Sequence, residues 1–232
     1  MIEDRVAAVR ERVARAAERA LRPPQSITLV AVSKTFPAEA VRSAFEAGLR
    51  DFGENRVQEA EPKIRALGDL VGAGLRWHLI GHLQSNKARR AAALFDAVHS
   101  VDSLDLGRRL AGAAHEAGRE LRALVQVDLA GEQTKFGLPE TELMAALEGL
   151  RGTPGIRVEG LMLLPPLFDV AERARPFFRR LRGLLEGAAG AGLLAGRELS
   201  MGMSHDFEVA IDEGATMVRV GTAIFGGREG AA

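Results

Sequence analysis

The chain has 232 residues, enough for one large domain and short for two, and its 47% apolar and 27% charged residues are those of a soluble globular protein. Lys plus Arg and Asp plus Glu both number 31, so the net charge is zero and gives no electrostatic case for nucleic acid or an anionic membrane. The absence of cysteine excludes disulfides, thiolate metal sites and cysteine nucleophiles, and the absence of tyrosine closes any route through a phenolic acid or base. The N-terminus carries Glu3 and Asp4 without the apolar core of a signal peptide, and no apolar run approaches the roughly 18 residues of a membrane span. A cytoplasmic location is the expectation.

Val6, Val9, Val13 and Ala17 recur at helical spacing, which predicts a helix over about 2–20, stopped by Pro23-Pro24. Ile27 to Ser33 is a short apolar, β-branched run of strand character that ends on Lys34, and Pro37 then opens an amphipathic helical stretch. Strand signals fall at 27–33, 50–53, 76–81, 95–99, 121–129, 156–164, 198–201 and 216–220. Helical signals lie between them at about 38–47, 55–67, 85–94, 103–118, 139–149, 170–188 and 205–213. Gly183 to Gly196 is Gly/Ala-rich and reads as a fraying helix end and loop. Eight strands alternating with helices predict parallel βαβ units closed into a single (β/α)8 TIM-type barrel, one domain over 1–232. An open doubly wound sheet is the alternative, but no Gly-rich dinucleotide fingerprint follows the first strand.

In such a barrel the chemistry sits just after the strands. Lys34 stands there, and a partly desolvated lysine is a candidate for an imine with an aldehyde such as pyridoxal phosphate; a solvated surface charge is the plainer alternative. After the second strand comes Gly53-Glu54-Asn55-Arg56, with Asn55 placed to cap a helix. After the third comes the densest polar cluster, His78 to Lys87. Its two histidines are four apart, yet Gly81 and the strand before it argue against the helix a zinc pair needs, and no HExxH glutamate is present. No metal site is expected. The last two strand ends, Ser200-Met201-Gly202-Met203-Ser204 and Gly221-Thr222, place glycines and hydroxyls at helix starts, the recurring phosphate site of this barrel type; ordinary capping by Ser204 and Thr222 is the alternative. Arg219 lies between Val218 and Val220, so alternation sends it to the other face, where it either meets a carboxylate or faces a ligand.

These segments resemble one family, the pyridoxal phosphate homeostasis proteins (the YggS/PROSC family). The resemblance rests on Ala31-Val32-Ser33-Lys34-Thr35, Phe52 to Glu59, Trp77 to Lys87, Lys135-Phe136-Gly137, Gly160-Leu161-Met162, Ser200 to Ser204 and Val218 to Gly226, in order along nearly the whole chain. It implies a pyridoxal-phosphate fold type III barrel like the N-terminal domain of alanine racemase, without the C-terminal β domain of the racemase. It implies pyridoxal 5′-phosphate as cofactor, held as an aldimine on Lys34, with the phosphate on Ser204, Gly221 and Thr222. Arg219 would approach the pyridine nitrogen, Asn55 and His78 would line the site, and Met201 would touch the cofactor face. Arg56 departs from the aromatic residue of many relatives, and His205 and Phe207 also differ from some members.

The function so implied is to bind, buffer and deliver the cofactor in intracellular homeostasis and amino-acid balance, with no established turnover and hence no catalytic residue. Pyridoxal-phosphate-dependent apo-enzymes and amino acids are the implied partners. The alternative is a fold-type-III racemase or decarboxylase. Against it stand the missing tyrosine, a chain that ends soon after the last barrel segment, and an arginine that would keep the ring nitrogen unprotonated and weaken its electron sink. With no coiled-coil or long edge-strand signal, a monomer is the expectation.

Overall fold

The computed structural model describes residues 1–131 and 136–227. Its strands are β1 (Thr28–Val32), β2 (Asp51–Glu54), β3 (Arg76–Leu79), β4 (Ala97–Val101), β5 (Leu121–Asp128), β6 (Leu138–Pro139), β7 (Ile156–Met162), β8 (Glu198–Met203) and β9 (Met217–Val220). The helices are α1 (Ile2–Arg19), α2 (Ala38–Glu46), α3 (Val57–Ala66), α4 (Ala88–Leu94), α5 (Leu104–Glu116), α6 (Leu143–Leu150), α7 (Arg175–Gly190), α8 (Phe207–Asp212) and α9 (Thr222–Phe225). Every strand pairing is parallel. The order β4-β3-β2-β1-β9-β8-β7-β5 closes on itself through β4–β5, so eight strands make the expected barrel. The two-residue β6 hangs outside the ring, paired with the end of β5.

Strand alternation divides the apolar residues into two cores. Ala31, Phe52, Trp77, Leu79, Val98, Leu199, Val218 and Val220 belong to the large core, which joins the sheet to the surrounding helices. Leu124, Met162 and Met217 form a separate, small cluster. Helix α1 presents Val6, Val9, Val13, Ala16 and Ala17 to the core and lies against α2, α8 and α9. Burial of that stripe, rather than intrinsic propensity, holds such a helix in place.

Element boundaries differ from the expected ones where local context decides. The Gly/Ala-rich stretch expected to fray stays helical to Gly190, because Leu181, Leu185 and Ala188 keep its inner face buried. Strand β4 runs two residues later than its apolar signal, since Phe95 packs in the core and the ladder starts only at Ala97. Gly160, in the Gly-Leu-Met motif of β7, is required by proximity: a Cβ there would lie 1.9 Å from the Glu198 carbonyl oxygen of β8. Among the described residues no helix is long and apolar enough to cross a membrane.

Candidate functional site

Lys34 follows β1 at the carboxyl end of the barrel, half-buried, and its amine has no hydrogen-bond or ion-pair partner among the described residues. Its neighbours on the chain are held firmly. Ser33 is fully buried; its hydroxyl donates to Glu54 Oε1 at 2.7 Å, and Lys63 Nζ donates both to the Ser33 carbonyl and to Glu54 Oε1 at 2.8 Å. Burial raises the Glu54 carboxyl, and the Lys63 and Ser33 donors pull against that shift. Thr35 adopts a left-handed backbone, φ 68°, which is strained for a β-branched residue. Its N–H is caught by Glu59 Oε1 at 2.7 Å. The amine of Lys34 is thus the free group on a fixed support.

In front of it lies a cleft of about 1100 Å³, lined chiefly by Lys34, Asn55, Arg56, Glu59, His82 and Lys87. The loops after β2 and β3 meet there because Gly81 has no side chain: a Cβ would sit 2.4 Å from the Asn55 carbonyl oxygen. Asn55 does not cap α3, as its position suggested. The helix starts at Val57, with Arg56 in the capping position and no side-chain cap, because Asn55 is still on the turn that packs against Gly81. His82 bonds Asp102 at 3.0 Å and stacks on Phe136 with ring centroids 3.5 Å apart. Lys135, in the same motif as Phe136, lies outside the described residues.

The loops after β8 and β9 lie on the other side of β1. Register pairs Ala31 with Val220, so Gly221 stands beside Val32, two residues from Lys34. The Gly221 N–H donates to Ser204 Oγ at 3.3 Å, tying the two loops together. Ser204 caps no helix; α8 begins only at Phe207. Thr222 opens α9, whose first backbone N–H groups have no intrahelical acceptor. Hydroxyls and free N–H groups therefore collect at one point.

Arg219 is buried and points into the barrel, as alternation required, but among the described residues it bonds no carboxylate. Its Nη1 donates to Ser200 Oγ at 2.6 Å and its Nη2 to the Leu163 carbonyl at 2.8 Å. Burial brings its pKa down to about 10. Behind Ser200 the polar chain continues: Ser200 Oγ to His99 Nδ1, 2.9 Å; His99 Nε2 to His78 Nδ1, 2.9 Å; His78 Nε2 to Asp51 Oδ1, 2.9 Å. Arg76 then grips Asp51 with two bonds of 2.7 and 2.6 Å. Burial lifts the Asp51 carboxyl, but the bonds from Arg76 and His78 outweigh it and hold the group well below the usual carboxylate range. A depressed carboxylate stabilises the fold above its unfolded value, about 3.9, and that stability fades as pH falls toward the folded value. Melting temperature should therefore drop below about pH 4, and Asp51→Asn should flatten that acid limb in a pH series of thermal melts.

The structure thus gathers Lys34 and Asn55 in the cleft, whereas Ser204, Gly221 and Thr222 are not in its lining and stand on the β9 side of β1. His78 does not open onto the cleft; it is buried, with both ring nitrogens spent on protein partners. Met201 does not line the cleft. It is fully buried in the sheet–helix core, adjacent on the strand to Ser200, which takes the inward position. Sequence reasoning missed Asp51, Lys63 and His99, and read Ser200 as part of the β8 strand-end motif rather than as an inward group bonded to Arg219. For His99 and Ser200 a signal existed, polar side chains inside otherwise apolar strands. For Lys63 there was none, since it sits among Glu59, Glu61 and Arg65 and reads as surface.

Comparison with known proteins identifies the family and the fold. The family model described as alanine racemase, N-terminal domain, matches residues 5–229. A pyridoxal phosphate homeostasis protein of Pseudomonas aeruginosa is 46% identical over 231 residues, covering 98% of this chain and 96% of the relative. PipY of Synechococcus elongatus PCC7942, solved without and with PLP bound, superposes with TM-scores of 0.87 and 0.85 at 43% identity, over 97% of this chain and 100% of PipY. An alanine racemase of Clostridium difficile 630 shares the fold at 17% identity, TM-score 0.70, with 96% of this chain spanning 60% of the racemase.

Proposed function

We propose, from the premise that this chain belongs to the pyridoxal phosphate homeostasis protein family and carries the alanine racemase N-terminal-domain barrel, that it binds pyridoxal 5′-phosphate through Lys34 and acts in cofactor homeostasis. One observation carries the reading most. A lysine amine without a partner among the described residues stands on a rigid strand end, one strand away from the hydroxyls and the N–H groups that open α9. That donor set suits a phosphate, and an amine suits an aldehyde. When bound, the cofactor supplies an electrophilic aldehyde on an aromatic ring.

Position supports a role for each residue in this reading. Lys34 would hold the aldehyde carbon covalently, so that retention is strong yet reversible by another amine. Ser204 and Thr222 hydroxyls and the N–H groups at the start of α9 would hold the phosphate, Gly221 letting backbone come close. Arg219, a cation with N–H donors to spare, would keep the ring nitrogen unprotonated, which favours holding the cofactor over carbanion chemistry. Asn55 would border the cleft, where Arg56 and Lys87, without ion-pair partners among the described residues, suit the carboxylate of an incoming amino acid. Pyridoxal-phosphate-dependent apo-enzymes are the natural recipients of a cofactor so held.

Thr222→Val tests the phosphate assignment. Losing one donor to a charged group removes about 1.5–3 kcal/mol. Spectral titration should show pyridoxal phosphate bound about tenfold or more weakly, with affinity for unphosphorylated pyridoxal nearly unchanged. Equal weakening of both ligands would make Thr222 a structural residue only.

A further inference from the structure

We infer that Ser200, His99, His78 and Asp51 form a one-directional hydrogen-bond relay through the barrel interior that aims Arg219 at the ring nitrogen of the bound cofactor, which makes them positioning residues. The inference rests on the proposed roles of Lys34 and the β8–β9 loops.

The direction of the relay follows from what each group can donate. Asp51 is an ionised carboxylate already gripped by Arg76, so it only accepts, and the facing His78 Nε2 must carry hydrogen. At the other end, the Arg219 guanidinium only donates, so Ser200 Oγ accepts from it at 2.6 Å. The serine hydroxyl hydrogen then needs an acceptor, and the partner within reach is His99 Nδ1 at 2.9 Å. A bare Nδ1 on a neutral His99 puts its hydrogen on Nε2, which donates to His78 Nδ1. Neutrality of His99 is what complete burial favours, because desolvation penalises the charged form. Each donor is matched by one acceptor, and both histidines are Nε2–H tautomers. Reversing the two histidine links would leave Ser200 with two incoming donors and its own hydrogen unplaced.

Such a chain polarises cooperatively and restrains each member in turn. Arg219 needs that restraint because, among the described residues, Ser200 is the partner of its Nη1 branch. Leu163 takes Nη2, and Asp206 acts on Arg219 only as a favourable charge, one of its oxygens being engaged by the Met203 N–H at 2.6 Å. The relay spans four strands, β2, β3, β4 and β8, so the aim of an arginine on β9 is set from across the barrel.

Two measurements test this. Long-range nitrogen–proton NMR on the ligand-free protein should show hydrogen on Nε2 and an accepting Nδ1 in both His78 and His99. Hydrogen on Nδ1 of His99 overturns the relay, and the measurement needs no variant. The second compares pyridoxal phosphate with its 1-deaza analogue, whose ring carbon cannot accept from Arg219. Ser200→Ala should weaken pyridoxal phosphate about tenfold, as expected for a misdirected charge-assisted bond, and change the deaza analogue by less than about twofold. Equal loss for both ligands, or no loss for either, overturns the positioning role. Failure of the underlying reading looks different, because the unmodified protein would then bind neither ligand.

Discussion

Lys34→Ala should abolish the visible absorbance of protein dialysed after incubation with pyridoxal phosphate, and Lys34→Arg should do the same. The second variant makes the test sharp. Arginine preserves the charge at the mouth of the barrel, but a guanidinium is never a free amine near neutral pH and forms no imine under these conditions. If attraction for the phosphate dominated binding, Lys34→Arg would retain most of it; if covalent capture dominates, both variants lose it. The chain's other lysines serve as internal controls. Lys87 lines the same cleft, and Lys63 has its amine spent on Ser33 and Glu54 directly behind. Borohydride reduction followed by peptide mass spectrometry should place the pyridoxyl group on Lys34. Finding it on Lys87 would move the covalent site across the cleft and end the present assignment.

The second large effect is expected from Lys63→Met. Lys63 and Glu54 are a buried ion pair between α3 and the β1–β2 strand ends, and the lysine also bonds the Ser33 carbonyl, one residue before Lys34. Removing one partner strands a buried carboxylate whose second oxygen already lacks a hydrogen bond. Breaking such a pair costs about 3–5 kcal/mol, which for a chain of this size corresponds to a fall of roughly 6–20 °C in melting temperature. The double variant Glu54→Gln/Lys63→Met should recover a large part of that loss, because a neutral amide is far cheaper to bury than an unpaired charge. Retained stability in Lys63→Met alone would show that water reaches the pair. Since the same lysine fixes the backbone entering Lys34, Lys63→Met at temperatures where it remains folded should also bind pyridoxal phosphate more weakly.

Much of this was legible from the chain because it depends on local pattern. The alternation of β-branched runs with amphipathic stretches specified the barrel, since a parallel sheet of this kind must cover its outer face with helices. Lys34, Gly221 and Thr222 were legible because a barrel of this type exposes the residues just past its strand ends, whatever their side chains. Arg219 was legible through strand period alone: buried Val218 and Val220 leave the residue between them one face to occupy. The tyrosine-free composition restricted the chemistry without any reference to the fold.

What the sequence did not determine are the contacts between residues far apart along it. His99 and Ser200 are 101 positions apart and meet only because β4 and β8 face each other across a closed ring. His78 looked like a residue of the mouth because it stands in a polar cluster; only the closed barrel shows its ring turned inward between His99 and Asp51. The family resemblance implied a cofactor contact for Met201, whereas period-2 alternation gives the interior to Ser200 and the helix layer to Met201. Lys63 is the plainest case. Nothing in a run of alternating charges distinguishes the one lysine that turns inward, and it becomes structural only when α3 docks on β2 and leaves Glu54 without water. Local pattern determined which residues are inside or at strand ends; the closure of the barrel decided which of them touch, because a hydrogen bond needs two groups within about 3 Å and chain connectivity does not bring them there.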